Sequence, residues 1–304
     1  MSIAGGLRRS VSAASGHAVT AAYLTGWRAV RLLPEPAALA VFERIADQIH
    51  RRDGRGVRRL RANLSRTVAP AELDAVTQQG VRSYLRYWCE SFRLPSWDQD
   101  DLVLRTRVIG EEHLRTPQEA GRGVVAALPH MGNWDWAGAW ACGTGMPVTT
   151  VAERLEPARL YDEFVAFRAG LGMEILALTG GPPPIRRLTE AVREGRLVPL
   201  LADRDLSRTS VAVSLLGEVA RMPRGPAVLA RDTGVDLVPV TMAYRGADLE
   251  LTFHPPVPHT AGDDGIAVMM QGVADAFGRA IAADPQDWHM MQTVFESDLA
   301  GRRR

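Results

Sequence analysis

The sequence predicts an α/β fold with a central, mostly parallel β-sheet flanked by helices, preceded by an N-terminal helical region. From residue 124 onward, short runs rich in Val and Leu alternate with segments of helical periodicity, which is typical of parallel sheets. Residues 1–95 carry helical patterns instead. With 304 residues, 46% of them hydrophobic, the chain can bury a large core. We expect a basic, membrane-associating region over residues 1–95 and an α/β core over 96–304, together forming one structural domain.

Each element follows from its apolar spacing and its breakers. In the first region, Pro34 and Pro36 end one helix and Pro95 ends another. The predicted N-terminal helices span residues 17–33, 37–51, 51–66 and 71–92. The predicted strands span residues 124–128, 148–151, 174–178, 197–202, 211–216, 237–244 and 249–253. The predicted helices between them span residues 156–171, 185–194, 224–233 and 266–282.

Charge is distributed unevenly along a chain whose formal net charge is only +1. Residues 1–70 hold twelve Arg and four acidic residues, a net charge of +8, so the remainder sums to −7. In the helix predicted over residues 51–66, Val57, Leu60 and Leu64 form an apolar stripe among arginines. This pattern fits either a helix lying among anionic headgroups or an ordinary surface helix packed on the domain. Nucleic acid is the competing anionic partner; we expect an anionic membrane surface and no nucleic acid.

Composition excludes several classes of site. The two cysteines, Cys89 and Cys142, form no C-x-x-C pair, which excludes a disulfide framework or a structural zinc site built on cysteine. No uninterrupted run of about 18 apolar residues predicts a membrane-spanning helix. His17 and Arg28 interrupt the apolar stretch near the N-terminus, so we expect it to be retained rather than cleaved as a signal peptide.

The segment around His130 carries the chemistry. A buried strand ends at Pro129, which puts His130 at the carboxyl end of the strand, where α/β folds collect ligand-binding groups. Gly132 permits a sharp turn, after which Asn133 or Asp135 can cap a helix. We predict that the turn folds Asp135 back onto Nδ1 of His130, leaving Nε2 to accept a proton from a hydroxyl. The alternative is a structural histidine with Asp135 as a plain helix cap.

This dyad has no nucleophile beside it. The sequence has no G-x-S-x-G elbow, and neither cysteine lies in a comparable turn. A base without an enzyme nucleophile fits direct attack by an acceptor hydroxyl on an acyl donor, with no acyl-enzyme. Trp134, Trp136 and Trp140 can wall an acyl tunnel on the following helix, although such spacing is also typical of ordinary core.

The motif Pro-His-Met-Gly-Asn-Trp-Asp, residues 129–135, resembles the H-x-x-x-x-D/E block of the lipid A and glycerolipid acyltransferases. Further segments agree with this family in order, over about residues 100–295. They are residues 107–114, 121–125, 202–206, 237–240 and 285–290. Residues 151–155, 161–168 and 178–181 are particularly similar to mycobacterial phosphatidylinositol mannoside acyltransferases.

The resemblance implies transfer of a palmitoyl group from acyl-CoA to a mannose hydroxyl of a mono- or dimannosylated phosphatidylinositol. Acyl-CoA is then a substrate, and neither a cofactor nor a metal is expected. The expected location is peripheral, on the cytoplasmic face of the inner (plasma) membrane. The competing acceptors are those of lipid A type and lysophospholipid acyltransferases, and acyl carrier protein is the competing donor. A metal-dependent phosphoesterase and a non-catalytic protein that binds anionic membranes are the alternatives outside this chemistry.

The resemblance also implies roles for individual residues. His130 is expected to be the general base and Asp135 its orienting carboxylate. Asp203 is expected to orient the histidine or the acceptor sugar; the family pattern has Glu there, and Asp is one methylene shorter. Arg168 is expected near the thioester carbonyl or the coenzyme A phosphates, held in place by Glu153. Arg208 and Thr209, in the polar loop after Asp203, are expected to contact acyl-CoA.

Overall fold

The computed structural model describes residues 26–27, 29–154, 158–205, 207, 209–262 and 264–300. It confirms the predicted α/β fold with a central, mostly parallel sheet. The strands are β1 Thr106–Ile109, β2 Val124–Leu128, β3 Thr149–Ala152, β4 Glu174–Ala177, β5 Leu197–Leu201, β6 Val211–Leu215, β7 Glu218–Met222, β8 Leu237–Arg245 and β9 Asp248–Phe253. The five-stranded sheet has the order β1-β9-β8-β2-β5, in which only the β8–β9 pair is antiparallel.

Two smaller sheets complete the β-structure. Strands β3 and β4 pair in parallel, and a bridge from Val148 to Leu197 places them beside β5. Strands β6 and β7 form an antiparallel hairpin. The short strands β1 and β7 were not predicted, because neither is a Val- or Leu-rich apolar run.

Most helices match the predictions within a few residues. They are α1 Glu35–Arg51, α2 Arg55–Leu64, α3 Leu73–Arg93, α4 Gln99–Leu104, α5 Glu112–Glu119, α6 Trp134–Gly143, α7 Ala158–Gly170, α8 Ile185–Arg193, α9 Gly225–Thr233, α10 Gly265–Ala283 and α11 Ser297–Ala300. The short helices α4, α5 and α11 were missed. The helix predicted over residues 17–33 lies mostly outside the described residues; of it, residues 26–27 and 29–32 are helical.

Two hydrophobic cores lie against the central sheet, and β2 contributes to both. Val125 and Ala127 belong to one core, whereas Val124, Ala126 and Leu128 belong to the other. Because successive side chains of a strand point to opposite faces, this division places one core on each face of the sheet. All five residues of β2 are buried, which accounts for its continuous apolar sequence.

The apolar stripe of the basic helix α2 lies inside the protein. Val57, Leu60 and Leu64 are buried in the first core, and Asn63 donates to the backbone carbonyl groups of Met290 and Gln292. Of the two interpretations of this helix, the structure supports packing on the domain. A contact between α2 and anionic headgroups would therefore use its arginines alone.

Helix α10 is long and apolar enough to span a membrane by length and composition, the one such helix in the described part of the chain. Its residues Met269, Met270, Val273 and Phe277 are fully buried in the first core. Core helices pass the same test of length and composition.

Candidate functional site

The site is built first from the carboxyl ends of two neighbouring parallel strands. The β2–β5 register pairs Leu128 with Leu201, and His130 and Asp203 each follow two residues later. This register brings the two side chains together: Nδ1 of His130 lies 2.6 Å from Oδ1 of Asp203. The backbone N–H of His130 donates to Oδ2 of the same carboxylate at 2.9 Å. Asp203 is fully buried and His130 is partly exposed, so part of the histidine side chain remains accessible.

The environment of this pair favours its charged forms. Burial lowers the pKa of His130, but the charge and hydrogen bond of Asp203 outweigh burial and leave the pKa above its ordinary value. Burial raises the pKa of Asp203, yet His130 and the indole N–H of Trp288, which donates at 2.9 Å, together lower it. The carboxylate therefore stays ionised and fixes Nδ1 as the protonated nitrogen, which leaves Nε2 free to accept a proton.

The C-terminal segment fastens the turn that carries His130. The backbone N–H of His289 donates to the carbonyl of His130 at 2.7 Å, and that of Gly132 donates to the carbonyl of Asp287 at 2.9 Å. Gly132 has φ +58°, and a Cβ there would lie 2.7 Å from Cβ of Met242. Only glycine fits this turn without strain.

Asp135 does not contact His130, contrary to the sequence prediction. In the first turn of α6, its Oδ1 accepts from Nε of Arg168 at 2.6 Å and its Oδ2 accepts from the Tyr87 hydroxyl at 2.9 Å. Burial lowers the pKa of Arg168, but the Asp135 charge outweighs burial and raises it. The cause of the difference is the helix: α6 begins at Trp134, so Asp135 points towards α7 and α3 rather than back along the turn.

Glu153 does not hold Arg168 either. That role belongs to Asp135, whereas Glu153 lies just beyond β3, is exposed, and forms no hydrogen bond or ion pair with another described residue. Thr209 lies in the loop after β5, where its hydroxyl pairs with that of Ser207 at 3.0 Å. Arg208 lies outside the described residues.

Helix α3 supplies side chains that the sequence analysis did not assign to the site. Tyr87 holds Asp135, and Glu90 accepts from Nδ2 of Asn133 at 3.1 Å. Asn133 in turn caps α6, its Oδ1 accepting from the backbone N–H of Trp136 at 3.0 Å. The spacing of Tyr87 and Glu90 on one helical face was the available signal, but nothing in the sequence indicated that this face meets the His130 turn.

A cavity of about 450 Å³ opens beside His130. Its wall is largely apolar, and its Asp, Glu, Arg and His members are His130, Asp135, Glu153, Arg168, Arg204 and His289. Trp134 lines the cavity and packs edge-on against the His130 ring, with centroids 5.6 Å apart. Trp136 and Trp140 are buried in the second core instead. The apolar lining residues include Ala126, Leu128, Ala137, Gly138, Met173, Pro199, Val240 and Leu251.

His289 lines this cavity, and its hydrogen bond with Ser83 fixes its tautomer. Ser83 donates its hydroxyl proton to Asp287 at 2.6 Å, so the 2.9 Å contact between Ser83 and Nε2 of His289 requires the proton on Nε2. Burial lowers the pKa of His289 to about 3 and keeps the ring neutral. Its Nδ1 is buried and has no hydrogen-bond partner among the described residues.

A second cavity, of about 560 Å³, lies between α1, α3 and the β8–β9 turn. The guanidinium groups of Arg82, Arg86 and Arg105 line it, and each is paired with a carboxylate. His130 is not among its lining residues. Within the described residues, no three His, Cys, Asp or Glu side chains are grouped to hold a metal ion, so the geometry adds no support for a metal-dependent phosphoesterase.

Comparison with known proteins agrees with the resemblance found in the motifs. Residues 10–297 match the model of the bacterial lipid A biosynthesis acyltransferase family. The chain is 43% identical over 293 residues to a phosphatidylinositol mannoside acyltransferase of Mycolicibacterium smegmatis, covering 95% of each chain. It is 44% identical over 289 residues to the protein of the same description from Mycobacterium tuberculosis, covering 93% of this chain and 90% of the relative.

Proposed function

Because this chain belongs to the bacterial lipid A biosynthesis acyltransferase family, we propose that it transfers a long acyl group, palmitoyl in the first instance, from acyl-CoA to a mannose hydroxyl of phosphatidylinositol mannosides. One observation carries the proposal: the His130–Asp203 pair, joined at 2.6 Å, opens onto a largely apolar cavity of about 450 Å³. The acceptor follows the two mycobacterial relatives, whose coverage is nearly complete.

In the proposed reaction His130 is the general base. Asp203 holds Nδ1–H, so Nε2 takes the proton of the mannose hydroxyl as its oxygen attacks the thioester carbon. The C–O bond forms and the carbonyl becomes a tetrahedral oxyanion. When this intermediate collapses, the C–S bond breaks and the coenzyme A thiolate leaves, taking the proton from His130. The ester product and the free thiol balance the two substrates, and no acyl-enzyme forms.

We assign stabilisation of the oxyanion to Arg168 or to backbone N–H groups at the same rim. Arg168 lines the cavity. Its Nε donates to Oδ1 of Asp135 at 2.6 Å and its Nη2 donates to Oδ2 at 3.3 Å, which fixes the guanidinium. A fixed donor aimed at developing charge needs no reorganisation during the reaction, which is where enzymes gain most. In this assignment Asp135 acts through Arg168 as a positioning residue. Glu153, Arg208 and Thr209 remain our candidates for contacts to acyl-CoA.

The cavity wall supports a lipid substrate. An acyl chain gains about 0.8 kcal/mol for each methylene that it buries, and the lining offers more apolar than polar side chains. Leu178 and Leu201 also line the cavity while 50% and 38% of their surface stays exposed. Exposed apolar side chains beside a cavity favour contact with a membrane, which supports the proposed peripheral attachment. The cytoplasmic face of the inner membrane is proposed from the family resemblance.

The test is release of coenzyme A thiol from palmitoyl-CoA, with and without a phosphatidylinositol mannoside in detergent. We expect acceptor-dependent release by the wild type and its loss in His130→Ala. His113→Ala is the matched control, because His113 is partly exposed on α5 and does not line the cavity. Loss of activity in both variants, or equal coenzyme A release by His130→Ala and wild type, would contradict the assignment of His130 as the general base.

Parallel assays separate the alternatives. If coenzyme A is released with a lipid A precursor or a lysophospholipid but not with the mannoside, that lipid would replace the mannoside as the proposed acceptor. If the palmitoyl group is transferred from palmitoyl-acyl carrier protein but not from palmitoyl-CoA, the carrier protein would replace acyl-CoA as the proposed donor. If no acyl transfer occurs but the protein binds anionic vesicles, and Arg58→Gln/Arg59→Gln/Arg61→Gln abolishes that binding, the non-catalytic alternative would replace the proposal.

A further inference from the structure

Two arginines line the catalytic cavity, and their electrostatic states differ. Arg168 is neutralised by Asp135, which accepts hydrogen bonds from two of its nitrogens. Arg204 forms no ion pair with any carboxylate in the described part of the chain. Its Nε donates to the backbone carbonyl of Thr293 at 3.0 Å, an uncharged partner that fixes the guanidinium without cancelling its charge. The cavity therefore presents one positive charge that is positioned but not paired.

The position of Arg204 puts this charge beside the reacting groups. Arg204 directly follows Asp203, the residue bonded to His130, and its positive charge opposes protonation of the imidazole. The contrast with the second cavity is informative, because there Arg82, Arg86 and Arg105 are each engaged by a carboxylate. Burying part of a guanidinium without a carboxylate partner costs free energy unless another anion binds to it. The planar set of N–H donors of a guanidinium matches the oxygens of a phosphate group.

We propose that Arg204 binds the phosphate group of a substrate in the catalytic cavity, and that this is the phosphodiester of the acceptor glycolipid. The proposal rests on the function proposed above. The choice of source follows from reach. In a mannosylated phosphatidylinositol only the inositol ring separates the mannose from the phosphate, whereas in acyl-CoA the whole pantetheine arm separates the thioester from the diphosphate. A cation next to the base that activates the sugar hydroxyl thus meets the acceptor phosphate first.

This assignment gives Arg204 a role in acceptor specificity. A glycolipid with a phosphodiester one ring away from the reactive sugar can place its hydroxyl at His130 and its phosphate at Arg204. A neutral mannoside can contact only His130. Charge-assisted hydrogen bonds to an ionised group contribute about 1.5–3 kcal/mol, which corresponds to a preference of about 10- to 100-fold.

The test compares Arg204→Gln and Arg204→Lys with wild type on two acceptors, a phosphatidylinositol mannoside and octyl mannoside, which has no phosphate. We expect Arg204→Gln to raise KM for the phosphorylated acceptor about 10- to 100-fold. KM for octyl mannoside and for palmitoyl-CoA should stay unchanged. Arg204→Lys, which keeps the charge but loses the fork, should recover part of the affinity. Arg186→Gln is the matched control, since Arg186 is 86% exposed and does not line the cavity.

Further outcomes decide between sources and roles. A higher KM for palmitoyl-CoA but not for palmitoyl-pantetheine, which lacks phosphate, would overturn the acceptor assignment and support the donor phosphate. An unchanged KM for every substrate, or an equal loss of kcat on phosphorylated and phosphate-free acceptors, would overturn phosphate binding. Calorimetric titration of each variant with the phosphatidylinositol mannoside keeps the two proposals separate. If wild type transfers no acyl group, the proposed function fails, while loss of binding in Arg204→Gln alone would still support this site.

Discussion

Replacing Asp203 with Asn tests which carboxylate serves the catalytic base. The variant keeps an oxygen that can accept from Nδ1 of His130 but removes the buried negative charge. Two unit charges 4 Å apart interact by about 4 kcal/mol at an effective dielectric of about 20. The Nδ1–Oδ1 distance of 2.6 Å puts this pair in that range. Since imidazolium forms only as the proton is taken, we expect kcat/KM to fall by about 10²- to 10³-fold.

The pH profile gives a second, independent readout of the same change. His130 must be neutral to act as a base, so kcat/KM falls as the pH drops through its pKa. Asp203 raises that pKa, and removing its charge lowers it. The acid limb of Asp203→Asn should therefore move to lower pH, by about one unit or more. The measurement is the initial rate of coenzyme A release at low acceptor concentration between about pH 4.5 and about pH 8, a range that brackets an ordinary histidine titration.

Asp135→Asn is the control, because it removes a buried carboxylate of the same motif that contacts Arg168 rather than His130. Its activity should fall through misplacement of Arg168, with the acid limb unmoved. The reasoning is refuted if Asp135→Asn shifts the limb while Asp203→Asn leaves it in place. Thermal unfolding of both variants checks that each remains folded across the pH range.

Two further predictions concern the buried ion pair and the acyl cavity. Arg168→Gln leaves the Asp135 carboxylate, which is 2% exposed, without its cation, so the free energy of unfolding in urea should fall by about 3–5 kcal/mol. The double variant Arg168→Gln/Asp135→Asn should recover part of this loss. An equal loss of unfolding free energy in the single variant Arg168→Gln and in the double variant would contradict the ion pair. At Gly138 a Cβ would lie 2.6 Å from Sδ of Met173, so Gly138→Leu should narrow the cavity and cost palmitoyl-CoA about fourfold in rate for each methylene displaced. Rates with decanoyl- and palmitoyl-CoA measure this, and an unchanged preference would exclude the cavity as the acyl site.

The strands that carry the site could be predicted from the sequence because their signals are strong. A strand such as β2 is apolar throughout, and the predicted bounds, residues 124–128, equal the observed ones. The short strand β1, Thr106–Ile109, was missed because Arg107 breaks the apolar run and only pairing with β9 stabilises it. Such elements depend on tertiary partners that no local pattern encodes.

The sequence analysis identified several of the residues that the structure brings together, but only part of how they pair. His130, Asp135, Asp203 and Arg168 were all singled out, and Asp203 was expected to orient His130 or the acceptor sugar, whereas the expected contact of Asp135 with His130 was wrong. Sequence proximity favoured Asp135, five residues away, over Asp203, which is distant in the chain. The decisive fact is the β2–β5 register, which places Leu128 opposite Leu201 and so aligns the residues that follow. Register depends on the whole sheet and cannot be read from one segment.

The hydrogen bonds of Asp203 determine where the proton goes after His130 has removed it from the acceptor. Because Asp203 has a lowered pKa and accepts from three donors, it does not take the proton that His130 removes from the acceptor. The proton stays on the imidazolium, beside the departing thiolate. A free thiol has a pKa of about 8.5, above the ordinary value of histidine, so the thiolate is the stronger base, although Asp203 narrows the difference by raising the pKa of His130. Transfer back to sulfur is then favourable, which resets the base for the next acceptor.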